Sequence, residues 1–166
     1  MSDLSTLRLQ LHAVDVAEAE RIVARSPGPT DAWAEDYPFE GDLGALEGFL
    51  RASAREDQQP FGYYRITRLI DGRAIGGVGF KGQPDSGSGE IGYGLAPSAR
   101  GHGYTAEAVT AVLTMAAEHG VSKVIADTTL ANIASQKTLT RSGFHLLRTD
   151  DSLNYYEALL DASPHQ

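Results

Sequence analysis

The residues with the clearest chemical potential lie in a glycine-containing segment between a strand-like run and an amphipathic stretch. Residues 90–95 read Glu-Ile-Gly-Tyr-Gly-Leu, and residues 100–105 read Arg-Gly-His-Gly-Tyr-Thr. The first N–H groups of a helix lack intrahelical acceptors and carry partial positive charge, so a helix start here would suit an anion. Glycine lets the backbone approach a phosphate closely and present a concave array of N–H groups. The segment therefore predicts phosphate binding, although an ordinary strand-to-helix turn would use the same glycines.

The elements that must position this loop follow from hydrophobic periodicity and turn signals. Asp15 and Asn132 are suited to cap helices, and Asp71-Gly72 between two β-rich runs predicts a hairpin. Helices that only partly alternate with strands predict an α/β fold with a mixed sheet and helices on its faces. The predicted strands cover residues 7–11, 63–70, 73–80, 90–95, 123–129, 144–148 and 154–160, and the predicted helices cover 16–25, 43–55, 104–119 and 132–143.

Length and composition are typical of one globular domain. The chain has 166 residues with 42% hydrophobic content and no linker or repeat, so residues 1–166 are expected to share a single core. The absence of cysteine excludes disulfides, thiolate metal sites and a cysteine nucleophile. We expect no metal, because neither a His-Glu-x-x-His motif nor a carboxylate cluster is present. No apolar run suits a bilayer and no secretory signal is evident, so a cytoplasmic location without membrane association is the default expectation.

The charge balance bears on the partners. A formal net charge of −8 argues against a nucleic-acid partner, since phosphate neutralisation requires clustered Lys and Arg. An acidic surface would attract a cationic substrate such as an amine. The same charge would equally serve solubility alone.

Several spaced motifs together resemble the GCN5-related N-acetyltransferase (GNAT) superfamily, most closely its ribosomal-protein N-terminal acetyltransferases. The superfamily's pyrophosphate loop, Q/R-x-x-G-x-G/A, is matched by Arg100 and Gly103, with Thr105 departing from the last position. Glu90 matches an acidic residue that opens the preceding strand in that branch. Asn132-Ile-Ala-Ser135, placed before Gly143-Phe144, matches its Asn-x-x-Ser segment. The resemblance implies a mostly antiparallel seven-stranded sheet, with splayed central parallel strands and helices on both faces.

The resemblance also implies acetyl-coenzyme A as the co-substrate. Leu95 and Ala96 would pair with the pantetheine arm, and one of their N–H groups could polarise the thioester carbonyl. Asn132 would bond to the same arm, a role that can coexist with helix capping. The pyrophosphate would be bound by the loop and helix start, namely Arg100, Gly101, His102, Gly103, Tyr104, Thr105 and Ala106.

Catalysis would proceed by direct attack of an amine, because no acyl-enzyme nucleophile is evident. Glu90 is the candidate base, alternatively a solvated residue at a strand start. Ser135 is the candidate donor to the leaving thiolate, alternatively a surface serine. Many relatives carry a tyrosine acid seven residues after the Asn, where this chain has Leu139. A thiolate is a good leaving group near neutral pH, so turnover does not require that tyrosine.

The acceptor is expected to be a primary amine held by the variable parts of the fold. Trp33, Tyr37 and Tyr64 are candidate lining residues, and filling of the core is their alternative role. Neighbouring acidic residues favour a cationic amine. A protein N-terminus, a free amino acid, a polyamine and an aminoglycoside remain open, as do monomer and homodimer.

Two other functions compete with acetyl transfer. A non-catalytic acyl-coenzyme A-binding module would explain Leu139, whereas Glu90 and Ser135 oppose that interpretation. A nucleotide-binding enzyme is the other alternative. The run Gly77-Val-Gly-Phe-Lys-Gly82 matches a dinucleotide fingerprint, but the helix that this fingerprint requires does not follow it.

Overall fold

A computed structural model describes residues 3–161, and its strands form one eight-stranded sheet with the order β1-β2-β3-β4-β5-β6-β8-β7. The strands are β1 (Leu4–Ser5), β2 (Leu9–Ala13), β3 (Tyr63–Arg68), β4 (Arg73–Phe80), β5 (Ser88–Leu95), β6 (Lys123–Thr129), β7 (His145–Thr149) and β8 (Leu153–Leu159). The helices are α1 (Val16–Val23), α2 (Glu40–Ser53), α3 (Tyr104–Glu118) and α4 (Ile133–Arg141), with a 3₁₀ turn at Pro97–Ala99. Together these elements confirm the predicted mixed α/β fold.

The strand number was wrong by one, because the expected seven strands omitted β1. This two-residue strand pairs antiparallel with β2, with Leu4 opposite Leu11. The intervening turn is closed by the N–H of Thr6, which donates to the carbonyl of Leu9 at 2.9 Å. A two-residue strand carries too little alternation to produce a periodic signal.

Local signals placed most element boundaries within two residues of the observed ones. The carboxylate of Asp15 accepts from the N–H of Glu18 at 2.8 Å, as an N-cap does. Gly72 adopts a φ of 70° in the predicted hairpin turn, which glycine tolerates without strain. Helix α2 begins at Glu40, three residues before the predicted start at 43, because the Asp42 carboxylate accepts from the N–H of Phe39 at 2.9 Å. Phenylalanine is not a typical N-cap residue, so the sequence does not indicate a helix start at this position.

The helices lie on both faces of the sheet, as expected. Helices α1 and α2 pack together, with α2 over β3, β4 and β5, while α3 and α4 pack together on the opposite face. Large buried side chains, including Ile66, Val78, Ile91 and Val109, form the core between these layers. The face of β4 and β5 under α2 is instead rich in glycine, which leaves space between the helix and the sheet.

The two parallel strands separate along their length, which confirms the predicted splay. β5 and β6 pair only from Ser88 opposite Lys123 to Glu90 opposite Ile125. On the other side of β5, the Ala96 N–H donates to Ile75 at 2.7 Å. Since backbone groups alternate in direction along a strand, Tyr93 and Leu95 direct theirs into the gap left by β6. The centre of the sheet therefore has an open backbone edge.

No helix within residues 3–161 combines the length and apolar character needed to cross a membrane.

Candidate active site

The loop before α3 presents a continuous set of free donors. Within the described part of the chain, no backbone or side-chain acceptor bonds the N–H groups of residues 101–106. The flanking groups are engaged, since Arg100 N–H donates to Pro97 and Glu107 N–H donates to Gly103 at 3.2 Å. Gly101 and Gly103 adopt φ values of 89° and 79°, a region that favours glycine. Six adjacent donors at a helix N-terminus suit a phosphate or pyrophosphate.

The side chains of this loop contribute differently from its backbone. Arg100 donates through Nε to the Leu95 carbonyl at 3.0 Å, and its guanidinium lies 5.0 Å from the centre of the Phe39 ring. Arg100 therefore ties the loop to the end of β5. His102 is exposed, with its ring 5.6 Å from that of Tyr104. The donors that face outward thus come chiefly from the main chain.

The open edge of β5 leads away from this loop. The Ala96 N–H is already bonded to Ile75, so it is not a free donor to the gap. Of the two residues expected to pair with pantetheine, Leu95 alone directs its N–H toward the gap. Tyr93, which the sequence did not suggest for this purpose, supplies the next backbone groups along that edge.

A cavity of about 740 Å³ lies between α2, the glycine-rich face of β4 and β5, and the start of α4. Gly77, Gly79, Gly92 and Gly94 form its floor. A Cβ at Gly77 would stand 1.9 Å from the Tyr63 hydroxyl oxygen, so glycine is required there for Tyr63 to occupy its position. The cavity exists because glycines lie where other strands carry side chains.

Tyr93 and Ser135 meet at the inner wall of this cavity. The Tyr93 hydroxyl and Ser135 Oγ are 2.6 Å apart, and burial raises the pKa of Tyr93 to about 12. Asn132 accepts the Ser135 N–H through Oδ1 at 3.1 Å, which fixes the first turn of α4. Tyr93 was missed by sequence reasoning, and its position between two glycines, in Gly-Tyr-Gly, was the available signal.

Two other positions do not supply an acid to Ser135. Leu139, at the position where many relatives carry a tyrosine, has no titratable group and is fully buried. The Tyr155 hydroxyl donates to Asp150 at 2.8 Å on the exposed side of β8. Among these residues, Tyr93 has the hydroxyl that reaches Ser135.

Glu90 lies where the parallel strands part, since it is the last residue of β5 paired with β6. Its carboxylate is 3.4 Å from Lys81 Nζ and is partly exposed. Lys81 is among the residues that line the cavity, and Glu90 is not. Glu90 therefore contacts a lining residue without lining the cavity itself.

A second carboxylate, Asp42, lines the cavity directly. It is 2% exposed, and its Oδ1 accepts from the Tyr63 hydroxyl at 3.2 Å. Burial raises the pKa of Asp42, which the hydrogen bonds from Phe39 and Tyr63 partly oppose. The sequence suggested Asp42 only as one of several acidic residues near the expected acceptor site, because burial of a single carboxylate leaves no local pattern.

The predicted acceptor residues do not meet at this cavity. Trp33 and Tyr37 line a separate cavity of about 520 Å³ together with Asp31 and Glu35. Tyr64 is buried in the core, where its hydroxyl donates to the Pro60 carbonyl at 2.7 Å.

Across residues 3–161, no group of three His, Asp or Glu residues is arranged to hold a metal ion.

The sheet is open and mixed, its two parallel strands separate, and the N-terminus of α3 beside them has unbonded N–H groups. These features together define the acetyltransferase class of the GNAT fold. The family model for the acetyltransferase (GNAT) domain matches residues 8–145, and the chain belongs to this family. The N-acetyltransferase YjdG of Bacillus subtilis is 40% identical over 88 residues, or 52% of each chain. The chain thus matches about half the length of that curated relative.

Solved structures agree over almost the whole chain. RimL, a ribosomal L7/L12 alpha-N-protein acetyltransferase in complex with coenzyme A, has a TM-score of 0.71 at 18% identity, covering 98% of this chain and 100% of that chain. The ribosomal-protein-S5-alanine acetyltransferase from Vibrio fischeri has a TM-score of 0.68 at 17% identity, covering 99% and 100%. At such identities the likeness establishes the fold.

Proposed function

We propose that this protein transfers an acetyl group from acetyl-coenzyme A to a primary amine. The observation that carries the proposal is the array of six free N–H groups at residues 101–106, beside an open strand edge that leads to Tyr93 and Ser135. Membership of the GNAT family and the coenzyme A complex of RimL support the choice of cofactor.

The residues present fit the parts of acetyl-coenzyme A. The cofactor supplies an acetyl group activated as a thioester. The N–H groups of residues 101–106 would bind its pyrophosphate, and the backbone of Tyr93 and Leu95 would pair with its amide-containing arm. Asn132 uses Oδ1 to cap α4, so its side-chain amide N–H groups are available to the same arm.

Ser135 and Tyr93 would supply a proton to the departing thiolate. If the Tyr93 hydroxyl donates to Ser135 Oγ, the Ser135 hydroxyl is free to donate outward into the cavity. With its pKa near 12, Tyr93 keeps its proton throughout the neutral range. The pair would replace the tyrosine that is absent at Leu139.

A base is needed because an alkyl ammonium has a pKa of ~10 and must lose a proton before attack. Glu90 is our first candidate, acting directly or through a water. Asp42 is the second, because it lines the cavity itself. The test measures the rate of acetyl transfer as a function of pH for Glu90→Gln and for Asp42→Asn. The base is the residue whose replacement lowers the rate mainly at lower pH. Two profiles that match the wild type would exclude both residues.

The deciding experiment measures thiol release from acetyl-coenzyme A with peptides, amino acids, polyamines and aminoglycosides as acceptors. Release that depends on one class of amine is expected. Tight cofactor binding without release on any amine would favour the non-catalytic acyl-coenzyme A-binding module. Thermal protection by ATP but not by acetyl-coenzyme A would favour a nucleotide-binding enzyme.

A further inference from the structure

Two arginines line the end of the cavity formed by the C-terminal part of α2. Arg51 lies in the last turn of this helix, and Arg55 follows it four residues later. Both are exposed, and within residues 3–161 neither makes an ion pair or a side-chain hydrogen bond. The remaining cation of the lining, Lys81, already contacts Glu90 at 3.4 Å. Two guanidinium groups are thus available to a ligand in a chain whose net charge is −8.

The opposite end of the cavity carries the opposite charge. Asp42, in the first turn of α2, lines that end. Asp127, on β6, is a further carboxylate of the lining. Asp42 Oδ1 lies 3.6 Å from the position that a Cβ would take at Gly94, so this carboxylate faces β5 beside the open edge. The cavity is therefore acidic near the proposed site of transfer and basic at its far end.

The wall between these ends leaves room for an extended ligand. No heavy atom lies within 4 Å of a Cβ position at Gly44, and at Gly48 the nearest is the Arg51 guanidinium at 3.7 Å. Thr128, which is 5% exposed, also lines the cavity, and its hydroxyl has no hydrogen-bond partner. An unpartnered buried hydroxyl is unfavourable unless a ligand satisfies it.

The spacing decides which ligand fits. Asp42 and Arg51 are nine residues apart on one helix, which corresponds to about 13 Å along its axis. An extended peptide covers this distance in about four residues. The amine and carboxylate of a single α-amino acid are too close together to reach both ends.

We propose that the acceptor is a peptide N-terminus with an acidic side chain near its fourth residue, which Arg51 and Arg55 bind. This inference rests on the proposed acetyl transfer. The planar guanidinium groups suit bidentate recognition of a carboxylate. The expectation of a cationic acceptor then applies to the amine end alone.

The test compares three tetrapeptide amides that differ only in the last residue, which is glutamate, glutamine or lysine. The kcat/KM for the glutamate peptide should exceed that for the glutamine peptide by about tenfold at low salt. The double variant Arg51→Gln/Arg55→Gln should lose this preference. Arg141 is an exposed arginine on α4, so the control variant Arg141→Gln should keep the preference. Coenzyme A affinity should be the same in all variants.

Equal kcat/KM for the glutamate and glutamine peptides would overturn the inference and leave acetyl transfer intact. A preference that persists in the double variant would also overturn it. If no peptide releases thiol but another class of amine does, the inference is overturned and the proposed acetyl transfer stands. If no amine of any class releases thiol, both the inference and the proposed acetyl transfer fail.

Discussion

Replacing Tyr93 by phenylalanine removes a single oxygen and tests the proposed path of the proton to the leaving group. The ring keeps its position between β5 and α4, but Ser135 Oγ loses the partner 2.6 Å away. Loss of one partly buried hydrogen bond should lower the free energy of unfolding by about 1 kcal/mol. For a domain of this size, that is a decrease of about 2–4 °C in Tm.

The effect on the rate should exceed what this loss of stability explains. General acid catalysis typically contributes about 10²–10⁴-fold. A thiol with a reference pKa of ~8.5 is already a good leaving group, so the contribution here should fall at or below the low end. We expect kcat to decrease by about 10–100-fold, which corresponds to about 1.4–2.7 kcal/mol of transition-state stabilisation.

The assay is thiol release at saturating acetyl-coenzyme A and amine, for Tyr93→Phe, Ser135→Ala and the double variant. If Tyr93 acts through Ser135, its replacement should have little further effect once Ser135 is alanine. Tyr155→Phe is the matched control, because it removes the same atom from a tyrosine bonded to Asp150. A kcat for Tyr93→Phe within twofold of the wild type, or fully additive effects, would refute the reasoning.

Three further predictions concern the loop, the cavity floor and the titration of tyrosine. Gly103→Val should weaken coenzyme A affinity about tenfold, since a β-branched residue is strained at a φ of 79° and displaces the N–H donors; calorimetry measures this. Gly77→Ala should lower the free energy of unfolding by about 3 kcal/mol in urea melts, because the new Cβ overlaps the buried Tyr63 ring. The unfolded chain loses the Tyr93 proton near pH 10, whereas the folded chain keeps it until about pH 12. The free energy of unfolding should therefore decrease as the pH rises from 10 to 12, and this group contributes up to about 2.7 kcal/mol of the decrease.

Each of these predictions has a control of its own. Gly120→Val places similar strain, at a φ of 88°, at the other end of α3 and should leave coenzyme A affinity unchanged. Gly44→Ala, in the open interior of α2, should raise stability by up to about 1 kcal/mol, opposite in sign to Gly77→Ala. Tyr93→Phe should flatten the alkaline decline in stability. An equally steep decline in that variant would assign it to the other buried tyrosines.

The fold was largely accessible from local patterns. The hairpin at Asp71-Gly72, the caps at Asp15 and Asn132 and the helix after Gly103 all depend on residues close together in the chain. Strand β1 was missed because a two-residue strand owes its existence to its neighbour β2. The separation of the two parallel strands was predicted from the resemblance to the GNAT family, because no single segment of the sequence indicates it.

The site was less accessible, because it depends on contacts between distant segments. Tyr93 and Ser135 are 42 positions apart, and only the packing of α4 against the parted strands brings their hydroxyls together. Trp33, Tyr37 and Tyr64 were candidates for the acceptor pocket by residue type. Residue type does not determine which cavity a ring lines: Trp33 and Tyr37 line the smaller cavity, and Tyr64 is buried in the core.

The sequence by itself indicated the fold class and the family, and it predicted a phosphate-binding loop at residues 100–106, since glycine positions, caps and periodicity act over a few residues. The tertiary structure alone decided that Ala96 N–H is engaged, that Asp42 is buried in the cavity wall, and that Arg51 and Arg55 face the same cavity from its far end. These properties arise from strand register and helix packing, which depend on the whole chain at once.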